Sequence, residues 1–446
     1  MKTLIKYACL LLVFLTAIVS CKIEDFPDPN RPSLGGFLQN ASVSQLNNLV
    51  VGALSQMRQN LATYMDGTAV IGREYFRFSS SDPRWAGDVS GGSPLDNNTF
   101  YTTNPYTSRY ATIKNLNVLI AAVNNTSAVN AEEKNGYLGF ANTIKAYELL
   151  MVLNQQYNNG IRVDVADEDN LGPFLSKDES LAAIANLLNE GAGQLSNAGA
   201  SFRFLLSEGF AAFNTPATFR EFNRALAARV AVYRGQYAEA LTFLAESFLD
   251  LNGDLRAGAY YSFSTGTGDQ LNPLFLARNA TGEIRGGDPS FVAQAEAGDV
   301  RVNKVAARTP VSQEGPGPAS QSGLSSNYDV VLYTSNVDPV PIIRNEELIL
   351  IYAEAKIQTN ALTDAVDALN IVRNAAELPN YAGPVDQPSL INEMLKQRRY
   401  SLFGEGHRWI DLRRYNRLSE LPKYRANDVV HEQFPRPFQE LGVQGG

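Results

Sequence analysis

"NEELILIYAEAKIQTNALTDAVDALNIVRNAA", residues 345–376, and "TFREFNRALAARVAVYRGQYAEALTFLAESFL", residues 218–249, carry one pattern twice. Set in register on their turns, Ala228 falls on Ala353, Gly235 on Asn360, Tyr237 on Leu362 and Ala240 on Ala365. In each, apolar residues recur at helical spacing, stop at Gly or Asn, and resume. Gly and Asn are the residues that adopt left-handed backbone at a helix end. Each stretch therefore reads as helix, turn, helix. The small alanines let the two helices approach closely. One such unit leaves an apolar face uncovered, so stacking against neighbours must supply most of its stability.

This unit resembles the tetratricopeptide repeat. Two copies do not make a regular solenoid, but they set the class: mainly α, a tetratricopeptide-like helix-turn-helix scaffold with long irregular loops and a few short strands. Further helices are expected over 41–62, 105–250 and 342–446. Asn130 with Glu132 and Glu133 reads as a helix start, and Ser176 with Glu179 as a capping box. Between the helices, 63–104 and 251–341 are rich in Gly, Ser, Pro, Asn and aromatics. Loops of that length inside one domain often carry function. Residues 41–446 are expected to form a single domain, with the two loop regions as its binding face.

The start of the chain reads differently. "MKTLIK" is basic, and "YACLLLVFLTAIVS" is an apolar run too short to span a bilayer comfortably. Ile18-Val19-Ser20-Cys21 resembles a bacterial lipobox, making 1–20 a signal peptide and Cys21 the lipidated residue carrying diacylglycerol and palmitate. The only other cysteine, Cys9, leaves with the signal, so no disulfide framework exists for Cys21 to join. Residues 21–40, with three prolines and an acidic run, read as a tether. Without Lys2 and Lys6, 36 basic residues face 46 acidic ones, which argues against nucleic acid.

Three C-terminal segments resemble the SusD/RagB family. "PVPIIRNEELILIYAEA" has the arginine-led helix, here Arg344. "ALNIVRNAA" follows, with Ala375 where a second arginine is usual. "KQRRYSLFGEGHRWIDLRR" has Lys396, Gln397 and Tyr400 where the family favours Glu, Arg and Glu. "FPRPFQELGV" supplies Pro-x-Pro and Glu440. The resemblance implies a lipid-anchored outer-membrane protein facing the cell exterior. It implies nutrient oligomers as ligands, glycan first and peptide as the alternative, and delivery to a SusC-like TonB-dependent transporter. It also implies no catalysis; no cofactor, metal site or nucleic-acid partner has a signature in the sequence.

"LKQRRYSLFGEGHRWIDLRRYNRL", residues 395–418, is the chain's densest charged stretch. As frame, Arg398, Arg399, Arg408 and Arg413 would pair with Glu393, Glu405 and Asp411 between helices. As a glycoside hydrolase, Glu405 and Asp411 would be the acid–base pair, or His407 a base. No HExxH, GxSxG or phosphate loop supports the second reading. A third reading is a structural interaction protein that holds a transporter without cargo of its own.

Sugars are gripped by flat aromatic faces and planar polar groups. Aromatics in aperiodic loops are therefore the expected ligand contacts: Arg73, Tyr75, Arg77, Asp82, Arg84 and Trp85 in "REYFRFSSSDPRW", Tyr101, and Tyr260 and Tyr261 in "GAYYSF". Arg73, Tyr75 and Arg77 would share one face of a short strand, with Phe76 and Phe78 pointing inward.

Overall fold

The computed structural model describes residues 39–442. The expected signal peptide, Cys21 and all but the end of the expected 21–40 tether lie outside the described residues. α1 (Val43–Gln56) opens with the capping box Ser42–Gln45 and buries Leu46, Val50, Ala53 and Leu54. α2 (Leu61–Ile71) and the strand β1 (Tyr75–Ser79) follow. α3 (Phe100–Asn125) and α4 (Ala131–Gln156) pack together as a long hairpin. A clip of β2 (Ile161–Arg162) on β3 (Phe174–Leu175) leads into α5 (Lys177–Ser196), which packs on α4. Asn130–Glu133 and Ser176–Glu179 both close as capping boxes, as their spacing predicts. Such a cap is worth about 1 kcal/mol. α6 (Pro216–Tyr233) packs on α5 and turns back as α7 (Tyr237–Ala245).

The sequence places loop from residue 63 onward, but α2 is a helix there. Its residues Tyr64, Met65, Asp66, Gly67, Thr68, Ala69, Val70 and Ile71 are all buried. A helix enclosed on every side has no polar stripe, so the amphipathic period that marks other helices is missing. α3 likewise begins at Phe100, ahead of the expected 105.

The irregular half is built on short strands: β4 (Gly258–Tyr261), β5 (Glu283–Gly287), β6 (Val305–Ala307), the small hairpin β7 (Ala319–Gln321) with β8 (Leu324–Ser326), β9 (Tyr328–Val330) and β10 (Val340–Arg344). A one-turn helix, α8 (Pro289–Ala293), follows β5. Four strands pair antiparallel in the order β1-β5-β9-β6. The register sets Arg77 directly opposite Arg285. Like charges so placed repel, and Asp66 of α2 answers both, at 2.7 Å from Arg285 and 3.3 Å from Arg77. Burial pushes the Asp66 carboxyl up, but the two guanidiniums and the Tyr75 hydroxyl outweigh it, and its pKa is lowered.

β10 runs into α9 (Asn345–Gln358), which turns back as α10 (Leu362–Ala375). The two repeat units match in detail. Gly235 and Asn360 have φ of +70° and +61°. The N–H after each reaches five residues back, Gln236 to Ala231 and Ala361 to Lys356, both at 2.8 Å. This is the Schellman closure of a helix. Ala228, Ala240, Ala353 and Ala365 are all 0% exposed, at the close approach of each pair. α11 (Gln387–Ser401) packs on α9 and α10, and α12 (Arg408–Arg414) returns the chain to α2. The chain closes with α13 (Phe438–Leu441). Among the described residues no helix is long and apolar enough to cross a membrane.

Candidate ligand-binding face

The loop residues singled out in the sequence divide sharply by exposure. Arg73 is 1% exposed and donates to the carbonyls of Pro422, Val70 and Ser90. Tyr75, also 1% exposed, donates to Asp66 at 2.8 Å. Tyr101 is fully buried, its hydroxyl bonded to Asp88 and to the Asp96 N–H. Tyr261 is buried against the Tyr147 hydroxyl at 2.9 Å. In this structure none of these four presents a face to a ligand. The expectation that β1 has one exposed face is corrected too: Tyr75, Phe76 and Phe78 are all buried, because α2 covers one side and the β7–β8 hairpin lies on the other. Arg77 is half-buried and held by Asp66 and Glu283. Tyr260 is half-buried, with its hydroxyl on the Arg256 carbonyl.

The accessible remainder is a small patch ahead of α3. Arg84 and Asp82 form a two-pronged pair, Nε to Oδ1 at 2.9 Å and Nη2 to Oδ2 at 2.6 Å. Those hydrogen bonds hold the Asp82 carboxyl below its ordinary range. The Arg84 guanidinium lies 5.2 Å over the half-buried Phe100 ring. Trp85 packs edge-on against the same ring at 5.2 Å. The Trp85 ring is largely covered, yet its N–H has no partner among the described residues and is not sealed from solvent. The patch thus offers an aromatic edge, a free N–H and a planar cation held in place.

The charged stretch belongs to the frame, with different pairings from those the sequence suggests. Arg398 meets Asp411 at 2.6 Å, as expected. Glu405 instead pairs with Arg344 at 2.8 Å, and Glu393 with Arg373 at 2.5 Å. Arg408 donates to the Arg73 carbonyl, Arg399 to Gln294 and Ser290, and Arg413 to the carbonyls of Glu432 and Asn154. None of these three meets a carboxylate within ion-pair distance among the described residues. Asp411 is kept below its ordinary range: burial raises its pKa, and Arg398 and Arg414 lower it further than that. An acid held ionised in this way cannot donate a proton. His407 is pushed down by burial against the pull of Glu347.

Sequence reading does not single out a second feature. A cleft of about 510 Å³ opens between the ends of α4, α5 and α12 and the α6–α7 turn. Tyr157, Tyr233, Tyr237 and Tyr415 line it together with Lys177 and Arg413. Tyr157 has φ of +45° and ψ of −111°, outside the usual regions for a residue with a Cβ. Such a conformation persists only where its surroundings hold it. The Arg413 guanidinium lies 4.0 Å over the Tyr157 ring and 4.4 Å over Trp409. The only sequence signal is tyrosines crowding helix ends, in "VYRGQY" and "LRRY".

Residues 330–442 match the model of the SusD family. The SusD-like protein P38 of Formosa agariphila is 33% identical over 116 residues, which cover 24% of this chain and 23% of that protein. Surface glycan-binding protein A from Bacteroides uniformis shares the fold with a TM-score of 0.69 at 17% identity, over 89% of this chain and 97% of that one. A laminarin binding SusD-like protein does so with a TM-score of 0.64 at 17% identity, over 91% and 98%. Residues 330–442, which hold the arginine-led helix and the glycine-flanked Glu405, are thus similar to the SusD family, and the chain as a whole shares the fold of SusD-like structures.

Proposed function

We propose that this protein binds nutrient oligosaccharides at the cell surface and delivers them, chemically unchanged, to a SusC-like TonB-dependent transporter. In this reading Cys21 carries the lipid that anchors it to the outer membrane, facing outward. The observation that carries the reading is the accessible patch of Arg84, Asp82 and Phe100, backed by the largely covered Trp85, on a fold shared with glycan-binding surface proteins. A pyranose ring has an apolar C–H face and a rim of hydroxyls. The Phe100 and Trp85 edges suit the first, and the Trp85 N–H and the Arg84–Asp82 pair suit the second. Arg77 on β1 and Tyr260 on β4, both half-buried, are the remaining partly accessible members of the set.

Isothermal titration against neutral and charged oligosaccharides and a peptide panel tests this. Heat with at least one neutral saccharide, lost on Arg84→Ala and Phe100→Ala without a fall in melting temperature, is the expected result. Heat with peptides alone would move the protein to peptide transport. No heat with any ligand would leave a structural partner of the transporter. Release of reducing ends from a polysaccharide would make it a hydrolase.

A further inference from the structure

The tyrosine cleft and the Arg84 patch are built from different elements, and their chemistry differs. The carboxylates in and around the cleft are already answered. Asp178 lies 3.3 Å from Lys177, and Glu239 3.5 Å from Arg234. Glu354 lies 2.8 Å from Arg414. Arg413 is different. It is 5% exposed and has no carboxylate partner among the described residues. Its two terminal nitrogens donate to carbonyls, and its Nε is buried with no partner. Burial pushes the guanidinium down to about 10, with Tyr157, Tyr64, Tyr233 and Glu432 acting the other way. A charge buried without a counter-ion is costly, and that cost falls when an anion arrives.

Two phenols on the cleft wall add to this. The hydroxyls of Tyr157 and Tyr233 make no hydrogen bond among the described residues, although both residues are half-buried. Lys177 Nζ lies 5.1 Å from the Tyr157 ring. The cleft thus offers aromatic faces, two free hydroxyls and two cations in a volume that takes one or two sugar rings. Neutral sugars use the first two features and leave Arg413 unanswered.

We propose that this cleft is a second binding site, specific for an acidic sugar residue whose carboxylate is held by Arg413 and Lys177 and whose ring lies against Tyr157 and Tyr233. The choice of a sugar rests on the function proposed above; the requirement for a negative charge rests on Arg413. A guanidinium recognises carboxylate with directed, charge-assisted hydrogen bonds. The tyrosine faces take the C–H side of the ring, and the free phenols take its hydroxyls.

The test titrates the whole protein, at low salt, with trisaccharides of galacturonate, glucuronate and mannuronate, and with neutral galactotriose. At least one acidic trisaccharide should bind, and more weakly as salt rises. Tyr233→Phe removes only an unbonded hydroxyl and should weaken that binding about five-fold with melting unchanged. Arg413→Gln should abolish the preference for acidic over neutral sugar. Where Arg413→Gln lowers the melting temperature, Lys177→Met reads the same charge requirement from a half-buried position. Arg84→Ala should leave acidic binding intact. The proposal is overturned if no acidic trisaccharide binds, if binding survives Tyr233→Phe and Lys177→Met unchanged, or if Arg84→Ala abolishes it. Neutral binding lost on Arg84→Ala, with no acidic binding, would sink the cleft alone. Silence with every sugar would sink both readings.

Discussion

Replacing Glu74 with Gln should change how stability depends on pH. Glu74 is 1% exposed and sits at the end of α2, where one carboxyl oxygen accepts the Gly404 N–H at 2.9 Å and the other has no partner. Burial pushes this carboxyl from 4.5 up to about 7, against the pull of the Gly404 hydrogen bond and the charge of Arg408. The unfolded chain titrates near its ordinary value, so the folded protein holds the proton more tightly. Its contribution is therefore full below 4.5 and is lost as pH rises from 4.5 to about 7. The complete loss is roughly 3 kcal/mol, and the part falling between about pH 5 and about pH 8 is roughly 2–3 kcal/mol. Gln cannot ionise, and its carbonyl still accepts from Gly404. Urea unfolding of both proteins at the two pH values should show the free-energy difference moving by that amount in favour of Glu74→Gln at the higher pH. Glu148, also pushed to about 7 by burial against Arg109, titrates in both proteins and cancels. A difference that is constant across the range, within about 0.5 kcal/mol, would refute the reasoning.

Trp409, fully buried with its N–H on the His431 carbonyl at 2.9 Å, should cost roughly 3–5 kcal/mol on truncation to Ala; denaturant unfolding checks this, and saccharide binding at the Arg84 patch should persist. Gly235→Ala should cost about 1–2 kcal/mol, because its φ of +70° disfavours any side chain while the space beside it is open; an unchanged melting temperature would show that the turn adjusts. Cys21→Ala should move the protein from the membrane fraction to the soluble fraction, and retention in the membrane would disprove the anchor.

The repeat units were legible because their turns and alanines are local signals: Gly235, Asn360 and the two capping boxes do in the structure what their spacing implies. α2 was not, because enclosure on all sides erases the alternation that reveals a helix. The loop aromatics misled for a related reason. Tyr75, Tyr101 and Tyr261 lie in sequence without helical period, yet each hydroxyl finds a partner on another element: Asp66 for Tyr75, Asp88 for Tyr101 and, from a distant segment, Tyr147 for Tyr261. Polar composition marks absence of regular structure, not exposure. The tyrosine cleft was invisible for the opposite reason. Its walls come from residues near 157, 177, 235 and 413, each on a helix end where an aromatic reads as packing.

The two ends of the described chain are sewn together. Gly404 binds Glu74, Arg73 donates to Pro422 at 3.0 Å, the Phe434 N–H reaches Gln155 at 2.8 Å, and Glu440 meets Tyr106 and Arg162. A polypeptide synthesised from its first residue onward cannot make these stitches until the last of it has emerged. The early strand and its covering helix must wait, unsealed, and then close in one late step. Contacts of such long sequence separation make that step slow. A frameshift or proteolytic nick that removes only the final stretch would thus be felt first at the opposite end of the molecule.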